Sequence, residues 1–321
     1  MKHLKRPSIA ATALLAALCV HSVSAAPFTT DRVLEKLAGK YPGLARVDDT
    51  LPANVLAREN IDYLARESEI LQLDIYQPKG NGLFPAVLII HGGGWETGDR
   101  TMERPFAKRL AARGFVAVPV SYRLGTSGRF PAAVFDLKAA VRWLRAHAHQ
   151  FHIDPARIAA VGGSAGGHLA ALLGASNREA TLEGDGPERD FSSEVQAVVD
   201  IDGAVDFTDA RIIRQERERE GAPSRFLGGD YSARRKTWLA ASPLYYVGPQ
   251  SAPTLFINST AASPILPGRR AMQARLRALD IDAQLITIPD TPHPFWLVHP
   301  WFNRTLDATA DFLQAKLQRA R

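Results

Sequence analysis

Two apolar runs, Phe84–Ile90 and Phe115–Val120, contain almost no polar residue. A strand with one wet face alternates apolar with polar side chains. A continuous run needs apolar neighbours on both faces, which a parallel sheet covered by helices on both sides supplies. Shorter runs follow at Ile158–Val161, Val195–Ile201, Thr254–Ile257 and Ala283–Ile288. Between them the period changes. Val134, Leu137, Val141 and Leu144 recur at helical spacing within Pro131–His149, and a last helix is expected from about Thr305 to the C-terminus. This βαβα order predicts an α/β fold with a mostly parallel central sheet and helices on both faces. Leu71–Tyr76 alternates with period two and reads as an early antiparallel strand, and Pro119 belongs near a strand end. The charged stretch 207–250 and the irregular stretch 27–65 break the rhythm and are expected to fold over the sheet edge and the site.

The first residues do not belong to that core. Met1–Arg6 is basic, Ile9–Val20 is apolar, and Val23-Ser24-Ala25 has the small-residue spacing of a cleavage site. The pattern predicts a secretory signal peptide over 1–25, cut after Ala25 or Ala26, leaving one domain over 26–321 in the periplasm or outside the cell. Its apolar stretch is too short for a permanent span. Cys19, the only cysteine, would leave with it, as would three of the positive charges behind the formal +6. What remains is mildly basic with scattered cations, which argues against a nucleic-acid partner or, after cleavage, a membrane partner.

Gly162-Gly-Ser-Ala-Gly166 lies between the run ending at Val161 and the helix-forming His168–Leu173. Strand, G-x-S-x-G and helix together describe a turn so sharp that its central Ser164 is held exposed above the sheet. Upstream, His91-Gly-Gly-Gly-Trp95 follows the strand ending at Ile90. It lacks the Lys-Ser/Thr of a phosphate-binding loop and the spaced glycines of a dinucleotide site. The amides of Gly93 and Gly94, with that of Ala165, instead suit an oxyanion hole, while His91 is expected to hold the loop. No His, Cys, Asp and Glu set has metal-ligand spacing, so neither metal nor organic cofactor is implied.

These two motifs, with Trp95-Glu-Thr-Gly-Asp-Arg100, resemble the α/β-hydrolase superfamily on its hormone-sensitive-lipase-like side, among bacterial acetyl and feruloyl carbohydrate esterases. The resemblance implies a serine carboxylesterase fold from about residue 70 onward, with an acid and a histidine following Ser164. His293, in Ile288-Pro-Asp-Thr-Pro-His-Pro-Phe-Trp296, is the expected base; His147, His149, His152, His168 and His299 are weaker candidates. The family's usual acid position falls after Thr254–Ile257, where Asn258–Pro267 contains no carboxylate. Asp290, three residues before His293, is the favoured acid. Asp206, or Asp202, is the alternative, and a dyad without a carboxylate is the third. Trp95 and Trp296 are expected to meet a sugar ring, with Phe295, Trp301 and Phe302 nearby. The implied function is deacetylation of plant cell-wall polysaccharides or their oligosaccharides through an acyl-enzyme. A feruloyl or aryl esterase is the alternative, and a non-catalytic carbohydrate-binding homologue the one from another class.

Overall fold

The computed structural model describes residues 27–67, 69–260 and 267–317. The expected signal peptide with Cys19, residue 68, residues 261–266, and the last four residues of the expected C-terminal helix lie outside them. The chain opens with α1 (Thr30–Leu37) and a short β1 (Ala45–Arg46), followed by β2 (Val55–Ala65), β3 (Ile70–Pro78) and β4 (Phe84–Ile90). Next come α2 (Arg104–Ala112), β5 (Val116–Val120), α3 (Ala132–Ala146), β6 (Ile153–Gly163), α4 (Ala165–Ala175) and β7 (Ala197–Ile201). The 207–250 stretch holds α5 (Ala210–Glu218), α6 (Ala222–Leu227), α7 (Tyr231–Ala240) and α8 (Pro243–Tyr246). The chain closes with β8 (Thr254–Ser259), α9 (Arg269–Arg277), β9 (Ala283–Ile288), β10 (Val298–His299) and α10 (Phe302–Leu317).

Eight strands form one sheet in the order β2-β3-β5-β4-β6-β7-β8-β9. The β2/β3 and β3/β5 pairs are antiparallel and all later pairs parallel, which is an α/β-hydrolase sheet. Its two-sided burial explains the continuous apolar runs. From β4, Leu88 and Ile90 enter one core with Leu137, Val141 and Leu169, while Val87 and Ile89 enter the other with Leu110, Leu306 and Leu313. Each fully buried Leu or Ile contributes roughly 1.5–3 kcal/mol relative to exposure. Pro119 is the penultimate residue of β5, opposite Ile89. Phe302 is buried, so α10 starts one turn earlier than periodicity indicated.

Register sets up the site. Ile90 lies beside Gly162, Gly163 beside Ile201, Ile201 beside Ile257, and Ser259 beside Ile288. The carboxyl ends of β4, β6, β7, β8 and β9 are therefore nearly level, and the loops that leave them share one edge. The N-terminal segment reaches the same edge by a ribbon: Ala45 and Arg46 of β1 pair with His299 and Val298 of β10. Val33 and Leu37 of α1 are buried in the second core, and Tyr41 meets the Trp301 ring edge-on at 5.2 Å. That anchoring draws α1 over the loop carrying His293.

Candidate active site

Ser164 joins β6 to α4 with φ 56° and ψ −118°, a conformation that costs a non-glycine residue roughly 1–3 kcal/mol. Its own backbone holds it there. The Ser164 N–H donates to Ile201 O at 2.8 Å, and the His168 N–H donates to Ser164 O at 3.0 Å. The turn also requires bare backbone, because a Cβ on Gly166 would stand 1.9 Å from Ile90 O. Gly93 has φ 124°, and a Cβ there would stand 2.0 Å from Thr97 O. The Gly93 carbonyl is occupied by the Glu96 and Thr97 amides, whereas the Gly93, Gly94 and Ala165 amides make no hydrogen bond among the described residues. These three unspent donors come from the glycine loop after β4 and from the first residue of α4, beside Ser164.

His91 takes no part in that donor set. It is buried, stacks on Tyr122 with ring centroids 4.6 Å apart, and places Nδ1 2.8 Å from Gly92 O. Burial lowers its pKa, which keeps the ring neutral.

His293 follows β9 and turns Nε2 to within 2.9 Å of Ser164 Oγ. Its Nδ1 lies 3.0 Å from Oδ2 of Asp202, not from Asp290 or Asp206. The preference for Asp290 is thereby corrected. Asp290 is exposed, with φ 56°, in the turn that ends β9, and the His293 ring bonds to Asp202 instead. Asp206 is corrected too: its Oδ1 accepts from the Thr208 amide and hydroxyl in a local turn, and Asp209 caps α5. Asp202 stands just past β7, and its Oδ1 accepts from the Ser259 amide at the end of β8 at 2.7 Å. The carboxylate therefore bridges the β8 end to reach a histidine from β9. Burial works to raise the Asp202 carboxyl, yet hydrogen bonds from His293 and Ser259 outweigh it and hold the group below its ordinary value. The useful sequence signal was its place one residue beyond the apolar strand that follows the elbow strand.

Position 258, where an acid was sought, carries an amide in the service of Arg269. This guanidinium is buried, bonds to Asn258 Oδ1 and Asp200 O, and forms an ion pair of 2.5 Å with Asp200. Sequence reasoning did not find this pair under the site.

The two tryptophans support the site and do not line its opening, which corrects both as sugar platforms. Trp95 is buried, stacks on Phe226 at 4.8 Å, and donates its indole N–H to His168 Nδ1 at 3.1 Å. His168 Nε2 lies 2.8 Å from Ala241 O, and burial lowers its pKa to about 4, so it is a neutral core donor. Trp296 is also buried and lies edge-on to His293 at 5.4 Å. It fills the space that a Cβ on Gly163 would take, 2.2 Å away. Behind it, Glu103 Oε1 and Trp296 Nε1 are buried without a hydrogen-bond partner in normal geometry. Burial pushes the Glu103 carboxyl up to about 7, which the neighbouring indole N–H offsets only in part.

A cleft of about 410 Å³ opens on Ser164, His293, Gly93 and Gly94. Its outer wall is α1 with the residues before it, including Phe28 and Arg32. The 27–65 stretch thus covers the site through its first part. The 207–250 stretch touches the glycine loop, where Ala222 Cβ would be 3.2 Å from a Cβ on Gly94 and Arg225 pairs with Glu96. Among the described residues no three His, Cys, Asp or Glu side chains group as metal ligands, and no helix is long and apolar enough to cross a membrane.

A hydroxyl, an imidazole and a buried carboxylate in series, facing unspent amides, form an arrangement able to make an acyl-transfer nucleophile. The BD-FAE family model matches residues 73–273, which include Ser164, Asp202 and the glycine loop.

The chain belongs to the BD-FAE family.

Its similarity extends to Esterase LipC of Mycobacterium tuberculosis, 30% identical over 231 residues, 70% of this chain and 57% of LipC. The chain spans about half the length of the curated relatives it first matches. A truncated carbohydrate esterase from gut microbiota superposes with a TM-score of 0.72 at 24% identity, over 86% of this chain and 100% of that one. A bifunctional GH43-CE protein of Bacteroides eggerthii gives 0.71 at 27% identity, over 82% of this chain and 38% of that one. BD-FAE membership and these folds place the chain among hormone-sensitive-lipase-like α/β-hydrolases.

Proposed function

We propose that this BD-FAE chain is an exported serine carboxylesterase that removes acetyl groups from plant cell-wall polysaccharides or their oligosaccharides. One observation carries the catalytic reading: Ser164, His293 and Asp202 form a continuous hydrogen-bonded series beside three unspent amides. His293 Nε2 takes the Ser164 hydroxyl proton as Oγ bonds to the ester carbonyl carbon. The tetrahedral oxyanion is held by the Gly93, Gly94 and Ala165 amides, each worth about 3–4 kcal/mol to the transition state. The carbon–alkoxide bond then breaks, and His293 returns the proton to the departing alcohol. Water repeats the sequence on the acyl-enzyme, releasing the acid and restoring Ser164. Asp202 keeps Nδ1 protonated, so that Nε2 is free to accept.

Likeness to carbohydrate esterases supports the substrate class, and the leader-like residues 1–25 support export. The test measures acetate and ferulate released from acylated polysaccharides by the wild type and by Ser164→Ala. Acetate release lost in Ser164→Ala agrees with the proposal. Ferulate without acetate moves the substrate to an aryl ester, and release of neither from any ester refutes the catalytic reading.

A further inference from the structure

Among the described residues, one side of the cleft carries positive charge and its lining includes no acidic side chain. Arg32 and Lys36 of α1 line it together with Ser164 and His293, and no Asp or Glu does. Their spacing of four places both on one helix face, one turn apart. The helix cannot roll to hide them, because Val33 and Leu37 are buried in the second core and Thr29 caps its start.

Neither cation is spent within the protein. Among the described residues neither forms an ion pair; Asp31 pairs with Arg46, and Glu35 forms no ion pair with either. The residues outside the described ones, 1–26, 68, 261–266 and 318–321, contain no Asp or Glu. By contrast, Arg66, Arg104, Arg109 and Arg225 each have carboxylate partners. Two unpaired cations at the mouth of a concave site raise the local concentration of anions and orient them.

We propose that Arg32 and Lys36 select an ester bearing a carboxylate, held by α1 while Ser164 attacks. This rests on the esterase reading above. The carboxylate belongs either to the alcohol, as in an acetylated uronic acid, or to the acyl group, as in a half-ester of a dicarboxylic acid.

The experiment measures kcat/KM ratios in two arms. One arm compares an O-acetylated galacturonic acid with its primary amide. The other compares mono-para-nitrophenyl adipate with para-nitrophenyl hexanoate. The expected wild-type ratio is about fivefold or more for the anion in one arm, and the arm that shows it names the source of the carboxylate. The ratio should shrink in high salt, fall toward one in Arg32→Gln with Lys36→Gln, and invert in Arg32→Glu with Lys36→Glu. Equal rates for anion and neutral ester in both arms would overturn the proposal, as would a ratio that survives both substitutions. If the neutral esters are hydrolysed in a Ser164-dependent way without an anion preference, only this inference fails. If no ester is turned over, both readings fail.

Discussion

Replacing Asp202 with Asn tests the whole hydrogen-bonded series through one atom. The side chain keeps its size in a fully buried site, and its Oδ1 remains bound to the Ser259 amide at 2.7 Å. That bond decides which end of the new amide faces His293. The oxygen stays with Ser259, so the NH₂ replaces Oδ2 at 3.0 Å from Nδ1. An NH₂ can only donate, so Nδ1 must accept and the ring proton moves to Nε2. Nε2 then donates toward Ser164 Oγ, 2.9 Å away, and can no longer take its proton. With geometry intact but the tautomer reversed, kcat should fall about 10⁴-fold, or about 5.5 kcal/mol. The assay is kcat for para-nitrophenyl acetate near neutral pH, with the fold checked by circular dichroism. Asp290→Asn and Asp206→Asn, measured beside it, should stay within about twofold of wild type. A loss below about tenfold in Asp202→Asn, or an equal loss in Asp290→Asn, would refute the assignment.

Glu103→Gln should change how stability depends on pH. The folded carboxyl is raised from 4.5 to about 7, so between these values the native protein holds a proton that the unfolded chain releases. Stability therefore falls as pH rises through that window, by up to about 3 kcal/mol, and levels off above it. Melting curves from pH 4 to 8 should show this difference between wild type and Glu103→Gln, and parallel curves would contradict it. Gly166→Ala puts a methyl group 1.9 Å from Ile90 O, a backbone atom that cannot step aside. Ester hydrolysis should drop by at least about 100-fold, and a variant with normal kcat and melting temperature would show that the elbow tolerates a side chain. Arg269→Met leaves Asp200 buried without its ion-pair partner and should cost about 3–5 kcal/mol in urea unfolding. A smaller loss with Asp200→Asn added would confirm that the stranded charge is the cause.

Local rules reached far in this chain. Continuous apolar runs demanded a sheet covered on both faces, because no polar face was available to leave in water. Ser164 was legible because its turn excludes side chains from its flanking glycines, a requirement confined to five consecutive residues. His293 was legible as the first histidine past the last strand run. Trp95 and Trp296 were misread because adjacency in sequence to site residues does not say which face of a loop a ring takes. Both rings fill space beneath the loops.

The acid was beyond local reasoning. Asp290, Asp206 and Asp202 all follow strands and all are chemically able to hold an imidazole. What separates them is the level register of β7, β8 and β9, which carries Asp202 across the end of β8 and supplies the Ser259 amide as its second partner. The closeness of Arg32 and Lys36 to Ser164 likewise depends on β1 pairing with β10, a contact between segments about 250 residues apart. Covalent neighbourhood determined the strands, the elbow and the glycine loop, because their physics acts within a few residues. Which carboxylate holds His293, and which charges face the substrate, depended on distant segments meeting at one sheet edge, and only the tertiary structure decided that.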